Sequence, residues 1–330
     1  MSPIDISFLN PTSKAFLAQY PEAINFDVFT ASDARSRPDG SIIEDIKAPV
    51  VDIEQIEIPD QNDGHLINCT VYKPIDTPAD AKLPVFVYIP GGGFCCIHEP
   101  NYVYFLSTVG FYFVVELNCI ALFVNYSLSP EVKFPVALYE CHSVIDHVTK
   151  TNTAAKLQID ATRVVVGGDS AGGNLSTAVA LLAKQRKLQH PIKHQILYYP
   201  FIDNDSTTES YTKFGEGFYF TKKMADYFLE WYAPDKELKE DILLFPNKAS
   251  VEDLVGLPPA FLVTCEADIV RDEGESYGRR LRAANVPVSS VRVNGVLHGF
   301  VSSPPLFSDE SYHIIDMTKT VLRKAFNADT

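Results

Sequence analysis

The segment that most constrains this chain is RVVVGGDSAGGNLSTAVALLAKQ, Arg163 to Gln185. A β-branched run meets Gly168-Asp169-Ser170-Ala171-Gly172 and passes, with no spacer, into small and then apolar residues of helical character. This is a G-x-S-x-G strand-turn-helix, which holds its serine at the tip of a tight turn. The flanking glycines lack the Cβ atoms that would collide with neighbouring backbone at such a turn. The chain therefore needs a sheet whose strand ends are open on one edge and backed by helices.

The remaining sequence supplies one. VVDIEQIEIP alternates apolar and polar residues, DQNDGH carries turn chemistry, and LINCTVYKP is strand-like again, which predicts an antiparallel hairpin. Strand candidates then follow at 85–89, 120–126, 164–167, 195–199, 260–265 and 288–293, separated by helix-length segments. That alternation predicts a single α/β domain over residues 1–330, with a mostly parallel sheet and helices on both faces. Ligand sites in such sheets lie at the carboxyl ends of the strands. Two aromatic-rich regions fall outside the alternation, about 1–48 and about 205–247. The first holds NPTSKAFLAQY, a helix with Asn10 as cap and Pro11 in its first turn; together the two regions read as one helical cap.

Of 330 residues, 46% are hydrophobic and 21% charged, enough for a substantial core. The formal net charge of −14 repels phosphate backbones and anionic lipid, so nucleic acid is not an expected partner. MSPIDISFLN lacks the basic start and apolar run of a secretory signal. Cys69, Cys95, Cys96, Cys119, Cys141 and Cys265 show no CxxC spacing, as expected of packed, reduced thiols in a cytoplasmic protein. Asn68 and Asn204 match glycosylation patterns, which in that setting are chance matches. The stretch Tyr102 to Tyr126 carries one charge, Glu116, but Asn118 and Cys119 divide it into a helix-length half and the strand IALFVNY. It reads as a buried helix feeding a central strand, with no membrane insertion.

A serine hydroxyl becomes a nucleophile only with an imidazole base, and the imidazole needs a carboxylate to fix its tautomer. For an elbow of this type the chain order is serine, acid, histidine. His298, in GVLHGF just after a strand, and His313, within the C-terminal helical stretch, are the late histidines. His298 is the one placed to reach the sheet edge. For the acid, Glu266, Asp268 and Asp272 compete around CEADIVRDE. Asp268 sits on the turn, whereas Asp272 reads as a first-turn helix residue favoured by the helix dipole. The third element is VFVYIPGGGFCC, a strand running into three glycines. Attack by Ser170 would place negative charge on a carbonyl oxygen, and backbone N–H groups of Gly92, Gly93 and Ala171 are the expected donors to it. Phe94 beside these glycines, and Phe218 and Tyr219 in FGEGFYF, are the candidate substrate walls.

GGGF, YSLSPEVKFPVALYE, GGDSAGGN, GLPPAFLVTCEADIVRDEGESYGRRLRAANVPV and HGF occur in that order. With them the chain resembles the hormone-sensitive lipase family of α/β-hydrolase carboxylesterases. The resemblance implies an eight-stranded α/β-hydrolase fold with a cap, Ser170 as nucleophile, Asp268 as acid, His298 as base, and Gly92, Gly93 and Ala171 as oxyanion hole. It also implies a small-molecule ester as substrate and no cofactor, and it leaves a homodimer open. Two positions depart from the family pattern. Pro90 stands where a histidine usually precedes the glycines, and Ser127 where an arginine usually makes an ion pair.

No metal motif competes, since HExxH is absent and His142 and His147, five apart, make a poor shared ligand face. Cys95 and Cys96 lie near the glycines and read as wall residues. Two other functions stay in view: amide or formamide hydrolysis by the same triad, and small-molecule reception without catalysis, against which His298 argues.

Overall fold

The computed structural model describes residues 4–19, 30–36, 51–97 and 111–328. Eight strands form one sheet: β1 (Val51–Pro59), β2 (Leu66–Pro74), β3 (Leu83–Ile89), β4 (Ile120–Asn125), β5 (Ile159–Asp169), β6 (His194–Tyr198), β7 (Ala260–Ala267) and β8 (Val288–Leu297). Their order across the sheet is β1-β2-β4-β3-β5-β6-β7-β8. The β1–β2 hairpin pairs antiparallel from Val51↔Pro74 to Pro59↔Leu66, and β2 joins β4 antiparallel. All pairings from β4 to β8 are parallel. The alternation predicts this mostly parallel sheet, and its eight strands form the α/β-hydrolase fold that the resemblance implies. Every residue of β3 is buried, as in a central strand covered on both faces.

The segment 102–126 resolves as expected at its second half, where Ile120–Asn125 lies between β2 and β3. Of its helix-length half, residues 102–110 lie outside the described residues, and Phe111–Val115 form a short π-helix. No helix among the described residues is long and apolar enough to cross a membrane.

The helix Pro11–Gln19 begins as its sequence predicts, with the Ser13 N–H donating to Asn10 Oδ1 at 2.8 Å. Its neighbourhood packs on the later insertion: Phe8 lies 6.1 Å from Phe214 and 6.2 Å from Phe218, and Phe16 meets Tyr219 edge-on at 5.0 Å. The insertion carries two helices, Glu209–Phe214 and Lys222–Tyr232, each opened by a threonine that accepts from its third N–H. In the second, Met224, Phe228 and Tyr232 recur every four residues and form one buried face. Residues 1–3, 20–29 and 37–48 of the expected cap lie outside the described residues.

Candidate active site

Strand register assembles the site. Ala267 and Leu297 are direct partners in the parallel pair β7–β8, so the residues that follow them, Asp268 and His298, emerge side by side. Two strands away, Asp169 pairs with Tyr198 and ends β5, which brings Ser170 to the same edge. The His298 Nε2 lies 2.8 Å from Ser170 Oγ, and its Nδ1 lies 2.7 Å from Asp268 Oδ2. All three residues are buried. The second Asp268 oxygen accepts the Val270 N–H at 3.1 Å, which fixes the carboxylate's rotation. The competing acids are occupied elsewhere. Asp272 accepts from the Ser210 N–H at 2.8 Å and from Arg271 Nε at 2.8 Å, and Glu266 accepts the Gly295 N–H at 2.7 Å.

Ser170 has φ 54° and ψ −118°, a region that costs a non-glycine residue about 1–3 kcal/mol. The surroundings hold it there. Its N–H donates to Tyr198 O at 2.9 Å, and its carbonyl accepts from Phe201 N at 3.1 Å and Asn174 N at 3.0 Å. The turn also backs tightly onto β3, since a Cβ on Gly172 would lie 1.9 Å from Ile89 O. Helix Ala171–Arg186 follows, buried from Ala171 to Ala183, and its positive end faces the serine.

The glycine loop stands beside this turn. Gly92 has φ +110°, and its carbonyl accepts from both Cys95 N (3.1 Å) and Cys96 N (2.8 Å). A Cβ there would sit 1.5 Å from Cys96 O, so no side chain fits. The N–H groups of Gly92 and Gly93 donate to no acceptor among the described residues. Ala171 opens its helix and has no carbonyl a turn earlier to bond. Among the described residues, these three backbone N–H groups are thus left without an acceptor.

Aromatic rings enclose the imidazole. Phe220 lies 4.5 Å from the His298 ring and Tyr199 4.9 Å, while Phe228 stacks near Phe220 and packs over Gly93, where a Cβ would come 2.3 Å from its ring. Of the three aromatics named from sequence, Tyr219 lies beside the histidine turn, 3.6 Å from where a Gly299 Cβ would be. Phe94 is fully buried and stacked on Tyr232 at 3.9 Å. Phe218 is packed between Phe8 and Phe214. The rings nearest the histidine and glycines, Phe220 and Phe228, are not among those three. Phe228 was signalled by its four-residue spacing with Met224 and Tyr232.

Burial and then the neighbouring Asp268 carboxylate push the Cys265 thiol well above its ordinary range. Burial pushes the Cys95 thiol well above its ordinary range, and its sulfur lies 3.6 Å from that of Cys96. His142 is buried with both ring nitrogens unpartnered among the described residues, and burial lowers it to about 4. Asp60, Asp63 and His65 gather at the β1–β2 turn with potential ligand atoms within 4.8 Å of one another. Those groups are already engaged: His65 bridges Asp63 (2.6 Å) and Glu140 (2.7 Å), and Asp60 accepts from Ser143 at 2.9 Å.

The sequence profile of the alpha/beta hydrolase fold family matches residues 86–302, from within β3 to just past His298. The chain belongs to this family. Among its relatives, carboxylesterase NlhH of Mycobacterium tuberculosis is 31% identical over 307 residues, covering 89% of each chain. A fungal esterase structure from Rhizomucor miehei superposes with a TM-score of 0.87 at 37% identity, covering 96% of this chain and 97% of that one. A thermostable esterase from Pseudomonas putida gives 0.89 at 29% identity, over 98% and 99%. This α/β hydrolase stands in the hormone-sensitive lipase-like branch that its motifs resemble.

Proposed function

We propose that this α/β hydrolase is a serine carboxylesterase that cleaves small to medium hydrophobic esters through an acyl-enzyme. The observation that carries the reading is the continuous chain Asp268–His298–Ser170, with bonds of 2.7 and 2.8 Å at a buried strand edge. Asp268 holds the proton on Nδ1, leaving Nε2 to take the proton of Ser170 Oγ as it attacks the ester carbonyl. The carbonyl oxygen becomes an oxyanion and accepts from the N–H groups of Gly92, Gly93 and Ala171. His298 then gives its proton to the departing alcohol, and a water molecule repeats the sequence on the acyl-enzyme to release the acid.

The N-terminal segment and the 205–247 insertion act together as the cap. Their ring contacts support this, and Phe220, Phe228 and Tyr219 form the wall against the reacting atoms. A wall of rings favours hydrophobic esters of limited size and keeps bulk water from the acyl-enzyme.

Matched p-nitrophenyl esters and p-nitroanilides of rising acyl length test the reading. Turnover of the esters, far faster than of the anilides and lost in Ser170→Ala, is the expected result. Faster anilide cleavage would make the protein an amidase, and tight ligand binding with no turnover of either series would make it a receptor.

A further inference from the structure

In the family this chain resembles, a histidine side chain precedes the oxyanion glycines; here Pro90 has neither a side-chain donor nor an N–H. Three glycines in succession have no side chains to anchor them either, so the loop must be held from outside. The structure shows where. The Pro90 carbonyl accepts the Tyr126 hydroxyl at 2.9 Å, and the Gly91 N–H donates to Asp169 Oδ1 at 3.0 Å. That carbonyl and that N–H belong to one peptide group. In a trans peptide they point in opposite directions, so the plane is gripped at both ends and cannot rotate.

Both gripping groups are themselves fixed. Tyr126 follows β4 and is buried. Asp169 is buried next to Ser170, and its carboxylate also accepts from Tyr88 at 2.6 Å and from Ser302 at 2.8 Å. Burial pushes the Asp169 carboxyl up, and these donors oppose the shift. Ser302 lies four residues beyond His298, so one carboxylate ties together the glycine loop, the serine turn and the histidine turn. The carboxylate also explains the first glycine, because a Cβ on Gly91 would lie 2.6 Å from Asp169 Oδ2.

We propose that Asp169 and Tyr126 are positioning residues that clamp the Pro90–Gly91 peptide and thereby aim the Gly92 and Gly93 N–H groups at the oxyanion. The inference rests on the esterase reading given above. The clamp acts on the transition state: its release leaves substrate access unchanged and misaligns donors that matter as the carbonyl becomes tetrahedral.

The test is a double-mutant cycle in the full chain with Tyr126→Phe, Asp169→Asn and the double variant, beside Ser170→Ala. Each single change is expected to lower kcat by about 10- to 100-fold, below the 10²–10³ of a donor removed outright, with KM within about threefold. The inhibition constant of an alkyl boronic acid, whose Ser170 adduct mimics the tetrahedral oxyanion, is expected to weaken in the same ratio. Because both residues hold one peptide, the double variant should lose little beyond the worse single change. A merely structural role would lower thermal stability without this kcat and boronate pattern. A folded Tyr126→Phe with wild-type kcat, or losses that multiply in the double variant, would overturn the clamp. If Asp169→Asn does not fold, Tyr88→Phe, which removes another donor to the same Asp169 oxygen, takes its place in the cycle. Failure of the clamp leaves full turnover that still depends on Ser170, whereas turnover surviving in Ser170→Ala is failure of the esterase reading.

Discussion

Replacing Asp268 by asparagine changes one atom, and the structure dictates how that atom is used. Asp268 Oδ1 accepts the Val270 N–H at 3.1 Å, and Oδ2 accepts from His298 Nδ1 at 2.7 Å. In Asp268→Asn the amide oxygen must stay on Val270, since an NH₂ facing that N–H would set donor against donor. The amide NH₂ is then turned toward His298 Nδ1, which can only accept. The imidazole proton moves to Nε2, where it faces Ser170 Oγ and blocks proton removal. The stabilisation of the imidazolium by a buried carboxylate is lost as well. By analogy with a triad driven into the wrong tautomer, kcat should fall about 10⁴-fold, or about 5.5 kcal/mol in the barrier. Asp272→Asn, which touches only Ser210 and Arg271, should stay within a few-fold of wild type. Ester turnover measured with a substrate for which chemistry is limiting separates the two. An Asp268→Asn enzyme within about tenfold of wild type, or a larger loss in Asp272→Asn, would refute the assignment of the acid.

Phe220→Ala should cost about 3 kcal/mol of stability, read by thermal or urea unfolding, because it empties a buried ring site between Phe201, Phe228 and His298. The same variant should shift the ester preference toward bulkier substrates; an unchanged acyl-length profile would remove Phe220 from the substrate wall. Hydrogen bonding to Asp63 and then to Glu140 holds the His65 imidazolium above the ordinary histidine range. The stability this contributes is present below about pH 6.5 and is lost as pH rises through the higher folded value. The wild-type melting temperature should therefore decline over that interval, while His65→Gln, lacking the titration, should show a flatter profile; parallel profiles would contradict the pairing.

What the sequence disclosed depended on how local the cause was. The elbow at Ser170 and the glycine run at Gly91 to Gly93 are visible because a strained backbone demands particular residues in succession. The order Ser170, Asp268, His298 was legible because each follows a strand, and parallel strands deliver their ends to one edge. Non-local partners were hidden. Ser127 in place of the family arginine implies a missing ion pair, yet the buried Glu140 carboxylate beside it is met by His65 from the β1–β2 turn. Ser127 itself donates its N–H and hydroxyl to Glu140, each at 2.6 Å. Nothing in the spacing of residues 65, 127 and 140 announces this contact. Likewise Phe94 read as a wall because it follows the glycines, whereas φ 64° turns it inward onto Tyr232. In FYF at 218–220, the ring nearest the histidine is the third, a matter of how the cap folds back that composition does not encode.

The central claim is that Ser170 is activated by His298 and forms a covalent acyl-enzyme. Intact-protein mass spectrometry after treatment with an alkyl fluorophosphonate, followed by peptide mapping, tests it most directly. The account predicts one adduct per chain, located on Ser170, appearing in step with the loss of ester turnover and absent from Ser170→Ala and strongly slowed in His298→Ala. Turnover that persists in the fully labelled protein, or an inactivating adduct on a residue other than Ser170, would contradict it.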